Sequence, residues 1–171
     1  MNTLEAISKS TSHREYKEAQ ISEEQLKILM EAGLCAPSSE NEQPWYLIGI
    51  LNQDIVWQID RDIQEIHHDT EAHFFHAPAA ILVAVNQSAK TPVVDAATCT
   101  QNILLAAEDL NLASCWIDGI LAINDSEKFD AYKQQFNIPD GYKFQTSIAL
   151  GHRVTTPTSK GLRKGQYTII K

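Results

Sequence analysis

The sequence has few cysteines, no excess of basic charge and no apolar run long enough for a bilayer. Its three cysteines, Cys35, Cys99 and Cys115, are odd in number, far apart and outside any CxxC. That excludes a disulfide framework and a zinc-knuckle pattern; small apolar side chains buried in a reducing cytoplasm are expected instead. With 14 basic residues against 22 acidic ones and a net charge of -8, a broad surface for nucleic-acid backbone or anionic membrane is disfavoured. The longest apolar run, Ala77 to Val85, falls well short of the ~20 residues of a membrane helix. Met1 to Tyr16 mixes Glu5, Lys9, His13 and Arg14 with no apolar stretch of signal-peptide type, so a soluble, cytoplasmic protein is expected.

Chemical fingerprints are missing too. No strand runs into a GxGxxG turn, no GxxxxGK[ST] occurs, and no GxSxG is present. Rossmann, P-loop and nucleophile-elbow chemistry therefore find no support. Any phosphate this acidic chain binds must be held locally.

What is present is an alternation of element types over 171 residues, a length suited to one domain that hides about two thirds of its unfolded surface. Ser22 and Gln25 have capping-box spacing, and Leu26, Leu29, Met30, Gly33 and Leu34 share one face, which predicts a helix over Glu23 to Cys35. Trp45 to Leu51 reads as a strand. Ile55, Val56, Ile59, Ile63 and Ile66 behind a capping Asp54 read as an amphipathic helix. Ala79 to Asn86 (AAILVAVN) predicts a strand buried on both faces. Val93 to Leu110 is apolar nearly all round, which places that helix in the middle of the protein. A short strand at Ser114 to Ile117, a helix carrying Phe129, Tyr132 and Phe136, a turn at Pro139 to Gly141 and a strand at Phe144 to Leu150 follow. The polar tail ends in QYTII, expected to dock as a strand on a sheet edge, its own or a partner's. The fold class is α+β, a small mixed or mostly antiparallel sheet wrapped by helices.

Two kinds of chemistry compete for notice. His67, His68, His73 and His76 with Asp69 and Glu71 form a tempting metal cluster, but the spacing matches no established zinc motif, and a solvated helix end is the better reading. Three polar segments weigh more together. They are Ser10, Thr11, Ser12, His13 and Arg14; the loop from Pro37 to Gln43; and Lys160, Arg163 and Lys164 in the tail. Hydroxyls with a guanidinium are what a phosphate monoester needs, short donors beside a planar fork of charge.

Three stretches carry a family likeness. APSSENEQPW (Ala36 to Trp45), FHAPAAILV (Phe75 to Val83) and VVDAATCTQNILLAAEDLNLASCWIDG (Val93 to Gly119) resemble the signature segments of the FMN-dependent nitroreductase family, and the match runs nearly end to end. The resemblance implies a homodimer with exchanged C-terminal arms and FMN held between two subunits. Backbone around Pro37, Ser38 and Ser39 would pack on the flavin ring, and Asn41 would reach the ribityl chain. Asp118 and Gly119 would set backbone N–H groups near N5 and O4, small Gly119 allowing the approach. Ser10, Thr11, Ser12 and Arg14 would receive the phosphate, with Ser10 and Thr11 where the family has basic residues and Lys9 or the tail as compensation. Arg163 would be the C-terminal basic contact. Asp118 stands where Gly is usual, and a carboxylate there would disfavour an anionic reduced flavin.

The activity so implied is hydride transfer from NAD(P)H to flavin N5, then to a small acceptor of the nitroaromatic, quinone or enone type at the same place. No protein side chain is expected to act as acid, base or nucleophile. A flavin reservoir or redox sensor without turnover is the alternative that fold likeness leaves open.

Overall fold

The computed structural model describes residues 1–155 and 164–170. Helix α1 (Thr3–Lys9) starts at Asn2, whose side chain accepts the Glu5 N–H at 2.9 Å. Helix α2 (Glu23–Leu34) starts at Ser22 with the capping box closed both ways: the Gln25 N–H donates to Ser22 Oγ at 3.1 Å, and the Ser22 N–H to Gln25 Oε1 at 2.9 Å. Strand β1 (Trp45–Ile50) leads into helix α3 (Gln53–His67). The cap of α3 is Asn52, not Asp54: Asn52 Oδ1 accepts the Asp54 N–H at 3.0 Å. Asp54 sits in the first turn, where its charge complements the helix dipole.

Strand β2 (Ala79–Asn86), helix α4 (Pro92–Asp109), strand β3 (Leu112–Ile117), helix α5 (Phe129–Gln135) and strand β4 (Tyr142–His152) complete the order. The strands form one sheet in the order β1-β2-β4-β3, and each neighbouring pair is antiparallel. The described sheet is thus wholly antiparallel, without the parallel pair a mixed sheet would have.

Helices cover both of its faces. Side chains of β2 alternate: Ala80, Leu82 and Ala84 pack with α3 residues Val56, Ile59 and Ile63 and with Phe74, whereas Ala79, Ile81, Val83 and Val85 pack with Leu26 and Leu29 of α2 and Ala96, Cys99 and Ile103 of α4. This two-sided burial is why AAILVAVN carries no polar alternation. Helix α4 has its inner face on the sheet but leaves Val93 and Val94 63% and 60% exposed in the single chain, so its apolar sequence serves two faces of which one is covered here.

Cys99 and Cys115 are buried as expected; Cys35, at the C-terminal cap of α2, is exposed instead. The segment QYTII is exposed and in no strand, with Tyr167 and Ile170 at 91% and 92%. None of the described helices is long and apolar enough to cross a membrane.

Candidate functional site

The segment after α1 is laid along the edge of β3 and the end of β4. Ser10 closes α1 with its N–H on the Ala6 carbonyl at 2.8 Å, the His13 N–H donates to the Ser114 carbonyl at 2.9 Å, and Lys17 N–H reaches His152 at 3.0 Å. Tyr16 pairs with Arg153 as an isolated bridge, and its hydroxyl donates back to the His13 carbonyl at 2.8 Å. Under this strap, Glu108 and Arg153 form an ion pair at 2.6 Å with both side chains almost wholly buried.

Fixed in this way, Ser10, Thr11 and Ser12 line a cleft of about 320 Å³ with Ser114, Gln101 and Leu104. Arg14 points into a neighbouring cleft of about 590 Å³, whose wall runs from Cys115 to Gly119 and is completed by Glu71, His73, Phe75 and His76. Cys115, on the wall of this second cleft, is tied to Ser12 of the first. Burial pushes its thiol above the ordinary range, while a hydrogen bond from Ser12 and the charge of Arg14 act against that rise. The Arg14 guanidinium lies 5.6 Å over the Phe75 ring and forms no ion pair among the described residues. Arg14 is thus an exposed arginine without an ion pair among the described residues of an acidic chain, and it follows closely in sequence on Ser12, which lines the hydroxyl-bearing cleft. Lys9 is taken up by Glu5 at 2.6 Å.

Asp118 and Gly119 open a short 3₁₀ segment, Gly119–Asp125, which leaves the first N–H groups without intrahelical acceptors. The Asp118 carboxylate accepts the Trp116 indole N–H at 2.6 Å. A Cβ built on Gly119 would stand 3.3 Å from Ile63 Cγ2 and 3.5 Å from His73 Nδ1, so its smallness already serves packing inside the protein, whatever approaches from outside.

The loop after α2 explains its own length. Pro37 accepts the Thr98 hydroxyl at 2.9 Å, the Ser39 N–H donates to Asp95 Oδ1 at 3.0 Å, Ser38 Oγ accepts the Gln43 N–H at 2.9 Å, and Gln43 Nε2 donates to Asn41 Oδ1 at 3.0 Å. Glu40, Asn41 and Gln43 take φ of 50°, 59° and 48°. A shorter connection would turn the corner, but it would not present this docked surface.

In the single chain, Ser10, Thr11 and Ser12 line one cleft and Arg14, Asp118 and Gly119 the other, and no residue of Pro37 to Gln43 lines either one. Arg163 and Lys160 lie outside the described residues. Ser114, Gln101, Phe75 and Trp116 also line these clefts, and the sequence reading does not assign them to the site. The histidine-rich stretch, for which the sequence favours a solvated helix end over a metal cluster, contributes His73 and His76 to the cleft wall: His73 Nε2 is 3.2 Å from Asp69 Oδ1, its ring is 5.5 Å from that of His67, and no metal-holding group of three or more ligands occurs among the described residues. A larger cleft of about 890 Å³ between α3 and α5 spends its charges internally, Lys128 pairing with Asp62 at 2.7 Å and Glu65 at 2.6 Å.

Residues 7–152 match the model of the Nitroreductase family. A protein from Methanothermobacter thermautotrophicus with the provisional name NADH dehydrogenase/NAD(P)H nitroreductase is 32% identical over 95% of this chain and 83% of its own. Crystal structures of nitroreductases with bound FMN from Bacteroides fragilis and Desulfitobacterium hafniense superpose over the whole of both chains with a TM-score of 0.90, at 26% and 27% identity. This chain belongs to the Nitroreductase family.

Proposed function

We propose that the chain is an FMN-dependent oxidoreductase that takes hydride from NAD(P)H and passes it to a small acceptor of the nitroaromatic, quinone or enone type, working as a cytoplasmic homodimer. The observation that carries this reading is the unpaired Arg14 in one cleft with Asp118 and Gly119, and the hydroxyls of Ser10, Thr11, Ser12 and Ser114 in a second, in a chain of this family. These residues fit FMN: donors and a guanidinium suit its phosphate, and open backbone N–H groups with an aromatic wall suit a flat, partly polar ring.

When bound, FMN supplies a two-electron carrier that accepts and gives hydride at N5. The rest is positioning by the protein. Ser10, Thr11, Ser12 and Arg14 hold the phosphate end, with Arg163 as the proposed basic contact from the tail. Asp118 and Gly119 offer main-chain N–H groups to the ring. Trp116 ties down the Asp118 carboxylate, so that charge does not swing freely into the cleft. Pro37, Ser38, Ser39 and Asn41 form the other half of the site on the partner subunit. Support for shared sites comes from that loop's absence from both clefts and from the exposed Val93, Val94 and Ile170, apolar surface suited to burial against a second copy.

The test is anaerobic addition of NADH or NADPH to the flavin-loaded protein. Rapid bleaching of the oxidised flavin band is expected; a band that persists would leave a flavin-binding module without turnover. Arg14→Ala is expected to weaken FMN binding by about 1.5–3 kcal/mol, roughly ten- to a hundredfold, while riboflavin, which lacks the phosphate, binds that variant as it binds the parent.

A further inference from the structure

We propose that Asp95 is a positioning residue for the flavin site, holding the loop Pro37 to Gln43 in the shape that receives the ring. The inference rests on the FMN reading above and extends it to a residue outside the contact set.

Asp95 lies in the first turn of α4, is 2% exposed, and is a buried carboxylate close to the apolar Ala96 and Cys99. Its Oδ1 accepts two hydrogen bonds, from the Ser39 N–H at 3.0 Å and the Thr91 hydroxyl at 3.1 Å. Its Oδ2 is buried without a partner. A helix N-terminus favours a carboxylate, but burying one with an unsatisfied oxygen costs stability, so packing alone does not account for the residue type.

The loop accounts for it. Glu40, Asn41 and Gln43 sit in the left-handed region, which L-residues with a Cβ adopt at a cost, and such backbone persists only where its surroundings over-determine it. Asp95 grips Ser39, the residue directly before the first of them. Thr98 holds Pro37 at 2.9 Å and Asn102 holds the Ala32 carbonyl at 3.1 Å. Residues 95, 98 and 102 follow the three-and-four spacing of one helix face, so α4 carries a polar row aimed at the end of α2 and its loop. Of the three, Asp95 alone carries a charge, and a charged acceptor makes the stronger hydrogen bond to a backbone N–H.

The experiment compares FMN and riboflavin binding, by fluorescence quenching and the visible flavin band, in the parent, Asp95→Ala, Asp95→Asn and Arg14→Ala. Asp95→Ala is expected to weaken both flavins by the same factor, about tenfold or more, and to change the flavin band. Asp95→Asn keeps an acceptor for Ser39 and is expected to restore affinity and spectrum. Asp95→Leu, which fills the same space without an acceptor, replaces the alanine variant if that variant does not fold. Parent-like flavin binding and spectrum in Asp95→Ala or Asp95→Leu, with FMN still weakened by Arg14→Ala, overturn this inference and leave the functional reading standing. A parent protein that binds neither flavin overturns the functional reading itself.

Discussion

His13 sits between the two halves of the strap that carries Arg14, and it is buried with Nε2 unpaired. Desolvation and the nearby Arg153 guanidinium disfavour the imidazolium, and Glu108 opposes them only in part, so the His13 pKa lies below its ordinary value. As pH falls, the unfolded chain takes the proton first. Stability from this group is therefore complete above the ordinary histidine range and is lost as pH drops from about 7 toward the lowered folded value. Melting temperature should decline over that window, and His13→Gln should show a shallower decline; parallel declines in both proteins would contradict this assignment. Such single-residue roles were unevenly legible. Ser12 and Arg14 stand together in the sequence, and their chemical types, taken with the other two polar segments, suggest phosphate binding before any fold is known. His73 and Asp95 do not, because their roles depend on partners that only the fold supplies: Gly119 for one, and Ser39, 56 positions away, for the other.

Among elements, the sheet is held to the strap by close contacts that admit no extra carbon. A Cβ on Gly151 of β4 would lie 2.9 Å from Pro78 Cδ, 2.9 Å from Tyr16 Cδ1 and 3.1 Å from Tyr16 Cβ. The proline ring and the Tyr16 β-carbon cannot swing aside as a flexible chain end would. Gly151→Ala should therefore cost about 1–3 kcal/mol of stability, read as a lower urea midpoint with unchanged slope; an unaltered midpoint would mean the strap is loosely seated. Elements with a strong period were readable. The capping box fixed the start of α2, and the unbroken apolar run fixed β2 to the residue. The ends of β3 and β4 were not, since Leu112 and His152 are strand residues only because they pair with each other. The α3 cap was misassigned to Asp54, because Asn and Asp two positions apart offer the same capping chemistry and only geometry separates them.

The molecule as a whole is acidic, and the residues proposed to hold the flavin lie in two regions that share no described cleft in a single chain. The family segments made the constellation legible, whereas the sheet's fully antiparallel character and the exposed outer face of α4 came from the structure. Shared sites are the economical reading of that division: Ser10, Thr11, Ser12 and Arg14 from one copy, Pro37 to Asn41 from the other. The measurement that tests this most directly is size-exclusion chromatography of the protein supplied with FMN, recording protein and flavin absorbance together with mass. A yellow dimer carrying one FMN per chain is the predicted result, and a colourless monomer in the presence of excess FMN would contradict it.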